Sequence, residues 1–162
     1  MANYQKESIH FPSADGKHQI AGYFYTPEQP KAVIQLSHGM CEYVCRYEPV
    51  FEVLCGAGYA VCGNDHLGHG GSAEKADYGF FAEKNGYQYL LKDLKTMNSL
   101  AREKYPGLPV LCAGGVASNQ LLRQTMVKSC GAVFAEPRFS TDNAMGVAIL
   151  TWRRHNKEKQ HD

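Results

Sequence analysis

Short apolar runs alternate with stretches of helical spacing along most of this chain, and that alternation restricts the fold more than any other feature. The apolar runs predict buried strands at 31–37, 59–63, 108–113 and 132–135. Apolar residues at helical spacing predict helices at 46–56, 85–104, 118–128 and 140–152. Strands that alternate with helices are typical of an α/β fold, so we expect a mostly parallel sheet with helices on both faces.

The N-terminal residues predict a different element. Polar and apolar residues alternate in 4–10 and 18–26, and Asp15-Gly16 between them is a turn sequence, so this region predicts a β-hairpin. No repeat, low-complexity run or linker divides the 162 residues, of which 44% are hydrophobic. We therefore expect a single folded domain over 1–162, ending in a polar tail at 153–162.

The charge balance gives no general attraction for polyanions or lipid surfaces. Lysine and arginine number 17 against 16 acidic residues, which leaves a formal net charge of +1. No apolar run reaches the ~18 residues that a membrane span needs. We therefore expect no nucleic-acid partner and no membrane span. The first residues lack the apolar segment of a signal peptide, so a cytoplasmic location is expected.

In the cytoplasm, the six cysteines are expected to be reduced thiols. Cys41 and Cys45 lie near His38 in the sequence, which suggests metal ligands at first sight. A zinc site of that type needs a second pair of ligands, and no such pair follows at a suitable spacing. We therefore interpret these cysteines as ordinary buried or half-buried thiols.

Two motifs between the predicted strands carry the clearest functional signal. They read HGMCEYVCRY at 38–47 and GYAVCGNDHLGHGGS at 58–72. Both closely resemble signatures of monoacylglycerol lipases and bacterial lysophospholipases, a branch of the α/β-hydrolases, although Tyr43 replaces the usual histidine. The resemblance covers about 1–109. It implies a truncated α/β-hydrolase-like fold and a small ester or lipid substrate, with no cofactor.

The resemblance also assigns roles to individual residues. In the family, the backbone N–H that follows the HG pair, here that of Met40, is one of two donors that stabilise the tetrahedral oxyanion. One such donor contributes roughly a hundred- to a thousandfold in rate. His38 and Gly39 are expected to shape the exit of the strand. Asp65 and His69, with His66 between them, belong to a turn that is structural in the family.

The nucleophile of the family is missing from this sequence. In the family, a G-x-S-x-G elbow follows the strand that corresponds to 108–113, and here the chain reads GGVASN at 114–119. Aligned on the first glycine, Val116 stands at the position of the serine, and the N–H of Ala117 is a possible second oxyanion donor. Ser118 is predicted to cap the following helix rather than to attack. We identify no nucleophile.

The base of the mechanism is missing as well. The family's acid and histidine follow later strands, beyond the region of resemblance. Downstream, only His155 and His161 remain, both in the polar tail. Hydrolysis by a triad needs a base within hydrogen-bond reach of the nucleophile. The sequence therefore predicts an impaired hydrolase.

From about residue 108 onward, the chain resembles a different family. GGVASN at 114–119 and TDNAMG at 141–146 are similar to signatures of the tRNA threonylcarbamoyladenosine transferases, which have an actin-like nucleotide-binding fold. This resemblance implies a chimeric chain, with a hydrolase-like part at 1–109 and a transferase-like segment at 110–152. In that interpretation, Gly114, Gly115 and Asn119 would contact ATP, and Asp142 would contact a divalent metal. The HxxxH helix that completes the metal site in the family is absent.

Three hypotheses follow for the function. The first is an impaired ester hydrolase related to monoacylglycerol lipases. The second is a nucleotide-binding fragment that retains some affinity for ATP. The third is a non-enzymatic domain that forms a homodimer, because missing later strands would leave a sheet edge exposed.

Overall fold

A six-stranded mixed sheet forms the centre of the molecule. The computed structural model describes residues 3–74 and 78–134. Within them, the sheet has the strand order β1-β2-β4-β3-β5-β6. The strands are β1 Tyr4–Pro12, β2 Gln19–Pro27, β3 Ala32–Leu36, β4 Tyr59–Asn64, β5 Val110–Ala113 and β6 Val133–Phe134.

The sheet is parallel in one half and antiparallel in the other. Strands β4, β3, β5 and β6 run parallel, whereas the β1–β2 hairpin joins antiparallel to β4. Pro12 pairs with Gln19 across the hairpin turn, which contains Asp15-Gly16. The predicted α/β fold and N-terminal hairpin are confirmed. The polar–apolar alternation of the hairpin was visible in the sequence, but its pairing partner in the sheet was not.

Three helices cover the two faces of the sheet. They are α1 Glu48–Gly56, α2 Gly86–Lys104 and α3 Gln120–Cys130, and a short 3₁₀ turn, Val44–Tyr47, precedes α1. Neighbouring residues of β4 enter opposite layers: Val61 packs in the cluster that contains residues of α1, and Cys62 in the cluster that contains residues of α2. Burial on both faces explains why the central strands are continuously apolar in the sequence.

Helix α3 begins two residues later than the sequence predicts, and its cap lies one residue later. Its cap is Asn119, whose side-chain oxygen accepts a hydrogen bond from the Leu122 N–H at 3.2 Å. The predicted cap, Ser118, instead ends a 3₁₀ turn, Gly115–Ser118, and its hydroxyl donates to the Gly115 carbonyl at 2.8 Å. The prediction of Ser118 as the cap was therefore wrong, because the extra turn shifts the first free N–H groups along the chain. The predicted helix at 140–152 lies outside the described residues.

A series of buried side-chain hydrogen bonds fixes α2 to the sheet. The side-chain amide of Gln35 on β3 donates to the Leu94 carbonyl at 2.9 Å, and its oxygen accepts from Asn98 at 2.7 Å. Arg102 then donates to the Asn98 side-chain oxygen at 2.9 Å. Because buried polar groups cost free energy unless they are paired, this series of hydrogen bonds specifies one position of α2 on the sheet. The start of α2 forms one wall of the site described next.

Candidate active site

The loops after β3, β4 and β5 meet at the carboxyl edge of the sheet. Because these three strands are parallel neighbours, their following loops leave the sheet on the same side. The loops are 37–43, 65–74 and 114–119, and they contain the segments HGM, DHLGHGGS and GGVASN. This edge is where an α/β sheet most often binds its ligands.

The loop after β3 is held from within by His38 and Glu42. The buried His38 ring accepts the His66 N–H on Nε2 at 2.9 Å, and its Nδ1 lies 2.8 Å from the Gly39 carbonyl. The Glu42 carboxylate accepts the Gly39 N–H at 2.9 Å and the Tyr47 hydroxyl. These hydrogen bonds lower the pKa of Glu42. These contacts hold His38 and Gly39 at the exit of β3.

The loop after β4 is organised around the buried carboxylate of Asp65. One oxygen accepts the Val44 N–H at 2.7 Å, and the other accepts the Gly71 N–H at 2.8 Å. The Ser72 hydroxyl donates to the Asp65 carbonyl at 2.7 Å. Asp65 therefore joins the loop after β3 to the loop after β4.

Three histidines lie in contact behind these loops. The ring centroids of His38 and His66 are 4.0 Å apart, and those of His38 and His69 are 5.5 Å apart. Burial lowers the pKa of His38 and lowers that of His66 well below the ordinary value, because the interior disfavours an imidazolium. Nε2 of His66 lies 3.1 Å from the His38 carbonyl, so this nitrogen carries the proton of the neutral ring.

This cluster predicts that the protein loses stability in mild acid. A histidine that stays neutral in the fold but charges in the unfolded chain contributes stability that is complete above pH ~6.5 and decreases below it. His38 and His66 are therefore both expected to make the protein less stable at pH 5.5 than at pH 7. Burial raises the pKa of Asp93, so this carboxyl takes up a proton more readily in the fold than in the unfolded chain. Its protonation offsets part of the loss of stability as the pH falls. Urea unfolding at the two pH values measures the difference, and equal stability at both would contradict the expectation.

The loop after β5 has the shape of a sharp strand-to-helix turn without a nucleophile. Gly114 has φ +112°, and the 3₁₀ turn follows at once. Val116 lies half-buried in that turn, at the position that aligns with the missing serine. The N–H of the buried Ala117 donates to the Gly114 carbonyl at 3.0 Å. That N–H, which the sequence offers as a second oxyanion donor, is therefore already used inside the turn.

An apolar pocket, which we call the central pocket, lies between these loops and the two neighbouring helices. It has a volume of about 260 Å³. Gly39 and Met40 line it from one side and Val116 from another, and His66 and His69 also line its wall. The remaining wall is mainly apolar, with Phe81, Tyr87, Leu90, Leu91, Leu121 and Leu122. The structure thus brings together the predicted oxyanion loop and the position of the missing nucleophile.

The residues assigned to nucleotide binding lie at the same edge of the sheet. Their surroundings are poorly suited to binding a phosphate. Asn119 lines the central pocket, but its side-chain oxygen is engaged in capping α3. No lysine or arginine is among the residues that line this pocket within the described chain. No three His, Cys, Asp or Glu side chains of 3–74 and 78–134 group closely enough to hold a metal ion. Asp142 lies outside the described residues.

Comparison with known families decides the relationship of the chain. The sequence model of the family described as serine aminopeptidase, S33 (Hydrolase_4) matches residues 28–158. The chain belongs to this family. The S33 match runs through the segment that resembles the transferases, and nothing in the comparisons supports that second resemblance.

Individual relatives of this S33 chain are lipases. The monoglyceride lipase of Homo sapiens is 32% identical over 105 residues, which cover 65% of this chain and 33% of the relative. The monoacylglycerol lipase of Mycolicibacterium smegmatis is 31% identical over 91 residues, or 56% of this chain and 31% of the relative. The chain therefore spans about a third of the length of the curated relatives it matches.

Solved structures of esterases have the same fold. A thermostable carboxyl esterase from Bacillus coagulans, solved in complex with glycerol, superposes with a TM-score of 0.68 at 28% identity. That match covers 83% of this chain and 42% of the esterase. A lipase in its open form gives a TM-score of 0.63 at 27% identity, over 74% of this chain and 42% of the lipase.

Sequence reasoning did not find the wall of the central pocket. Tyr87, Leu90 and Leu91 read in the sequence as part of the apolar stripe of a helix, which is the usual signature of core packing. Tyr87 is instead more than half exposed and lines the pocket. The missing information was the position of α2 relative to the loops after β3 and β5, which is a tertiary property.

No helix in the described part of the chain is long and apolar enough to cross a membrane.

Proposed function

We propose that this S33 family chain keeps a pocket for an ester or lipid but hydrolyses esters poorly or not at all. The observation that carries the proposal is Val116, which lines the central pocket at the position of the nucleophile. A valine side chain has no atom that can form an acyl-enzyme. The family relationship supports the substrate class, and the apolar wall suits an acyl chain.

Among the described residues near the pocket, neither Ser37 nor Ser118 has the surroundings of a nucleophile. Ser118 donates its hydroxyl hydrogen to the Gly115 carbonyl, so it is engaged within its own turn. Ser37 lies 3.2 Å from Nε2 of His66, which resembles a serine–histidine pair. That nitrogen, however, carries the ring proton, because it also faces the His38 carbonyl at 3.1 Å. It therefore cannot accept the proton of Ser37 in this arrangement.

The pocket also provides fewer N–H donors for the carbonyl oxygen of an ester than an active enzyme does. Met40 lines the central pocket and remains a candidate for one oxyanion N–H. The Ala117 N–H donates within its turn at 3.0 Å, and using it for an oxyanion would require that hydrogen bond to break. Loss of one donor of this kind costs roughly 2.7–4 kcal/mol of transition-state stabilisation. Two independent parts of the machinery are therefore impaired.

Turnover of a p-nitrophenyl ester tests this function directly. We expect the chain, Val116→Ala and Val116→Ser to hydrolyse p-nitrophenyl butyrate at the rate of a heat-inactivated sample. Val116→Ser introduces a hydroxyl without adding a base to receive its proton, so it is the sharper variant, and Val116→Ala is its matched control. Turnover by the unmodified chain that increases with protein concentration would overturn the proposal. Release of p-nitrophenol in a single burst by Val116→Ser would show that a base is present after all.

The two remaining hypotheses stay predictions. Stabilisation of the chain by ATP, lost in Asn119→Ala, would support the nucleotide-binding fragment. A melting temperature that rises with protein concentration would support the homodimer. In the described residues, β6 is the last strand on its side of the sheet, which is the edge that the dimer hypothesis invokes. Cytoplasmic location also remains a prediction.

A further inference from the structure

The start of α2 places an asparagine directly before a glycine, in an arrangement that the proposed function does not use. Asn85 is the asparagine of this chain that a glycine follows. It is exposed and has φ +59° and ψ +23°, a left-handed conformation that asparagine tolerates better than most residues. No hydrogen bond from its side chain caps the helix. The carboxamide of Asn85 is therefore available to react with a neighbouring nucleophile.

The backbone nitrogen of Gly86 is that nucleophile. Gly86 is the first residue of α2, so its N–H has no acceptor within the helix. Because glycine has no side chain, it shields its own nitrogen less than any other residue would. To reach Cγ of Asn85, the nitrogen needs a rotation about ψ of that residue. Residues 78–85 form neither helix nor strand, and the rotation breaks the hydrogen bond from the Gln88 N–H to the Asn85 carbonyl at 2.8 Å.

Packing against Phe81 requires the glycine. A Cβ atom on Gly86 would lie 2.7 Å from the Cβ of Phe81, which is too close to the main chain of Phe81 for a simple change of rotamer to relieve. The Phe81 ring lies beside that of His69, with the centroids 5.3 Å apart, and it lines the central pocket. A larger residue at 86 would displace this wall of the pocket, so the fold itself maintains the Asn-Gly pair.

We infer that Asn85 is a site of spontaneous deamidation, which places a carboxylate at the start of α2. The Gly86 nitrogen attacks Cγ of Asn85 and forms a C–N bond, and the side-chain nitrogen leaves as ammonia together with the proton of the Gly86 N–H. Water then opens the cyclic imide at either of its two carbonyl carbons, which gives aspartate or isoaspartate. Water is the one co-reactant, so the reaction needs neither an oxidant nor a cofactor.

Three other asparagines of the described chain are held against this reaction. Asn64 and Asn98 are fully buried, and the side-chain oxygen of Asn119 caps α3. The Asn98 side chain also donates to Gln35 and accepts from Arg102. Since both of these hydrogen bonds must break before its carboxamide can react, we expect Asn98 to react at least about tenfold more slowly than Asn85.

The carboxylate changes the electrostatics of α2. The first turn of the helix contains no acidic residue, and its N–H groups give this end a partial positive charge. An aspartate at position 85 therefore stabilises the helix, and Asn85→Asp is expected to raise the melting temperature by about 1–3 °C. In 1 M NaCl this gain should shrink, because salt screens an exposed charge. Tyr87 in the same turn lines the central pocket, so the new charge arises next to that pocket.

Incubation of the full-length protein at 37 °C tests the inference. Samples taken over several weeks are digested with trypsin, which cleaves after Lys84 and Lys92, and mass spectrometry follows the peptide 85–92. A sample digested at time zero corrects for conversion during the digest. We expect a mass gain of about one dalton that increases with time in this peptide. It should increase faster at pH 9 than at pH 7, because base removes the proton of the attacking N–H.

Asn85→Gln is the matched control, because its longer side chain has to close a larger ring and reacts far more slowly. It should abolish the acidic form that appears with time on ion exchange, whereas Asn85→Asp should elute with that form. An unchanged Asn85 in the folded protein, after the same time has converted the urea-unfolded chain, would overturn the inference. Conversion of Asn98 as fast as that of Asn85 would also overturn it. Equal melting temperatures for Asn85→Asp and the unmodified chain would overturn the stabilising effect of the carboxylate.

Discussion

Replacing Gly114 with alanine is expected to destabilise the fold by more than about 4 kcal/mol, or to prevent folding altogether. A Cβ atom at this position would lie 2.1 Å from the Ser37 carbonyl oxygen, which is part of the backbone and cannot move away as a side chain does. In addition, Gly114 has φ +112°, a conformation that residues with a side chain rarely adopt. The close contact and the backbone strain add to each other, which places the loss among the largest for single substitutions.

The neighbouring glycine supplies the matched control. A Cβ atom on Gly115 would meet no atom within 4 Å, and this residue does not have a positive φ. Gly115→Ala is therefore expected to change the free energy of unfolding by less than about 0.5 kcal/mol. Urea unfolding followed by circular dichroism compares the two variants. Similar stabilities for both would show that the turn after β5 does not have the described conformation.

Replacing Asp65 with leucine is expected to cost about 3–5 kcal/mol. The substitution removes the acceptor of the Val44 and Gly71 N–H groups and of the Tyr23 hydroxyl, which lie 2.7, 2.8 and 3.3 Å from the carboxylate. Each donor left without a partner in the interior costs roughly 1–3 kcal/mol. Because Asp65 joins the loop after β3 to the loop after β4, the same change should also disturb the wall that these loops give to the central pocket.

An exposed carboxylate provides the comparison for Asp65. Glu103 is an exposed residue of α2, so Glu103→Leu is expected to stay within about 0.5 kcal/mol of the unmodified chain. The midpoints of urea unfolding measure both variants under one condition. A loss for Asp65→Leu no larger than that for Glu103→Leu would contradict the role of Asp65 as the organiser of the two loops.

Much of the fold was predictable because its signals are local. The five longer strands and the three described helices fall within a few residues of their predicted positions, since burial on both faces of the sheet leaves continuous apolar runs. The cap of α3 was placed at Ser118 instead of Asn119, because a 3₁₀ turn looks like the first turn of a helix in the sequence. The pairing of the hairpin with β4 was not predictable, since it depends on contacts between distant residues.

The candidate site was predictable only in part. The sequence indicated Met40 and the turn around Asp65, because glycines and motif spacing mark them. The sequence did not indicate that the Ala117 N–H donates to the Gly114 carbonyl. It also did not indicate that His66 and His69 each have a buried ring nitrogen without a hydrogen-bond partner among the described residues. Hydrogen bonds of this kind depend on distances of a few tenths of an ångström between separate loops.

The sequence by itself determined the alternation of strands and helices, the S33 family motifs and the absence of a serine at position 116. These are properties of residue type and spacing, which a linear chain already contains. Only the tertiary structure decided that Val116, Met40, His66 and His69 line one apolar pocket. The physical reason is that parallel strands deliver their loops to one edge, where residues far apart in the chain share the same desolvated space.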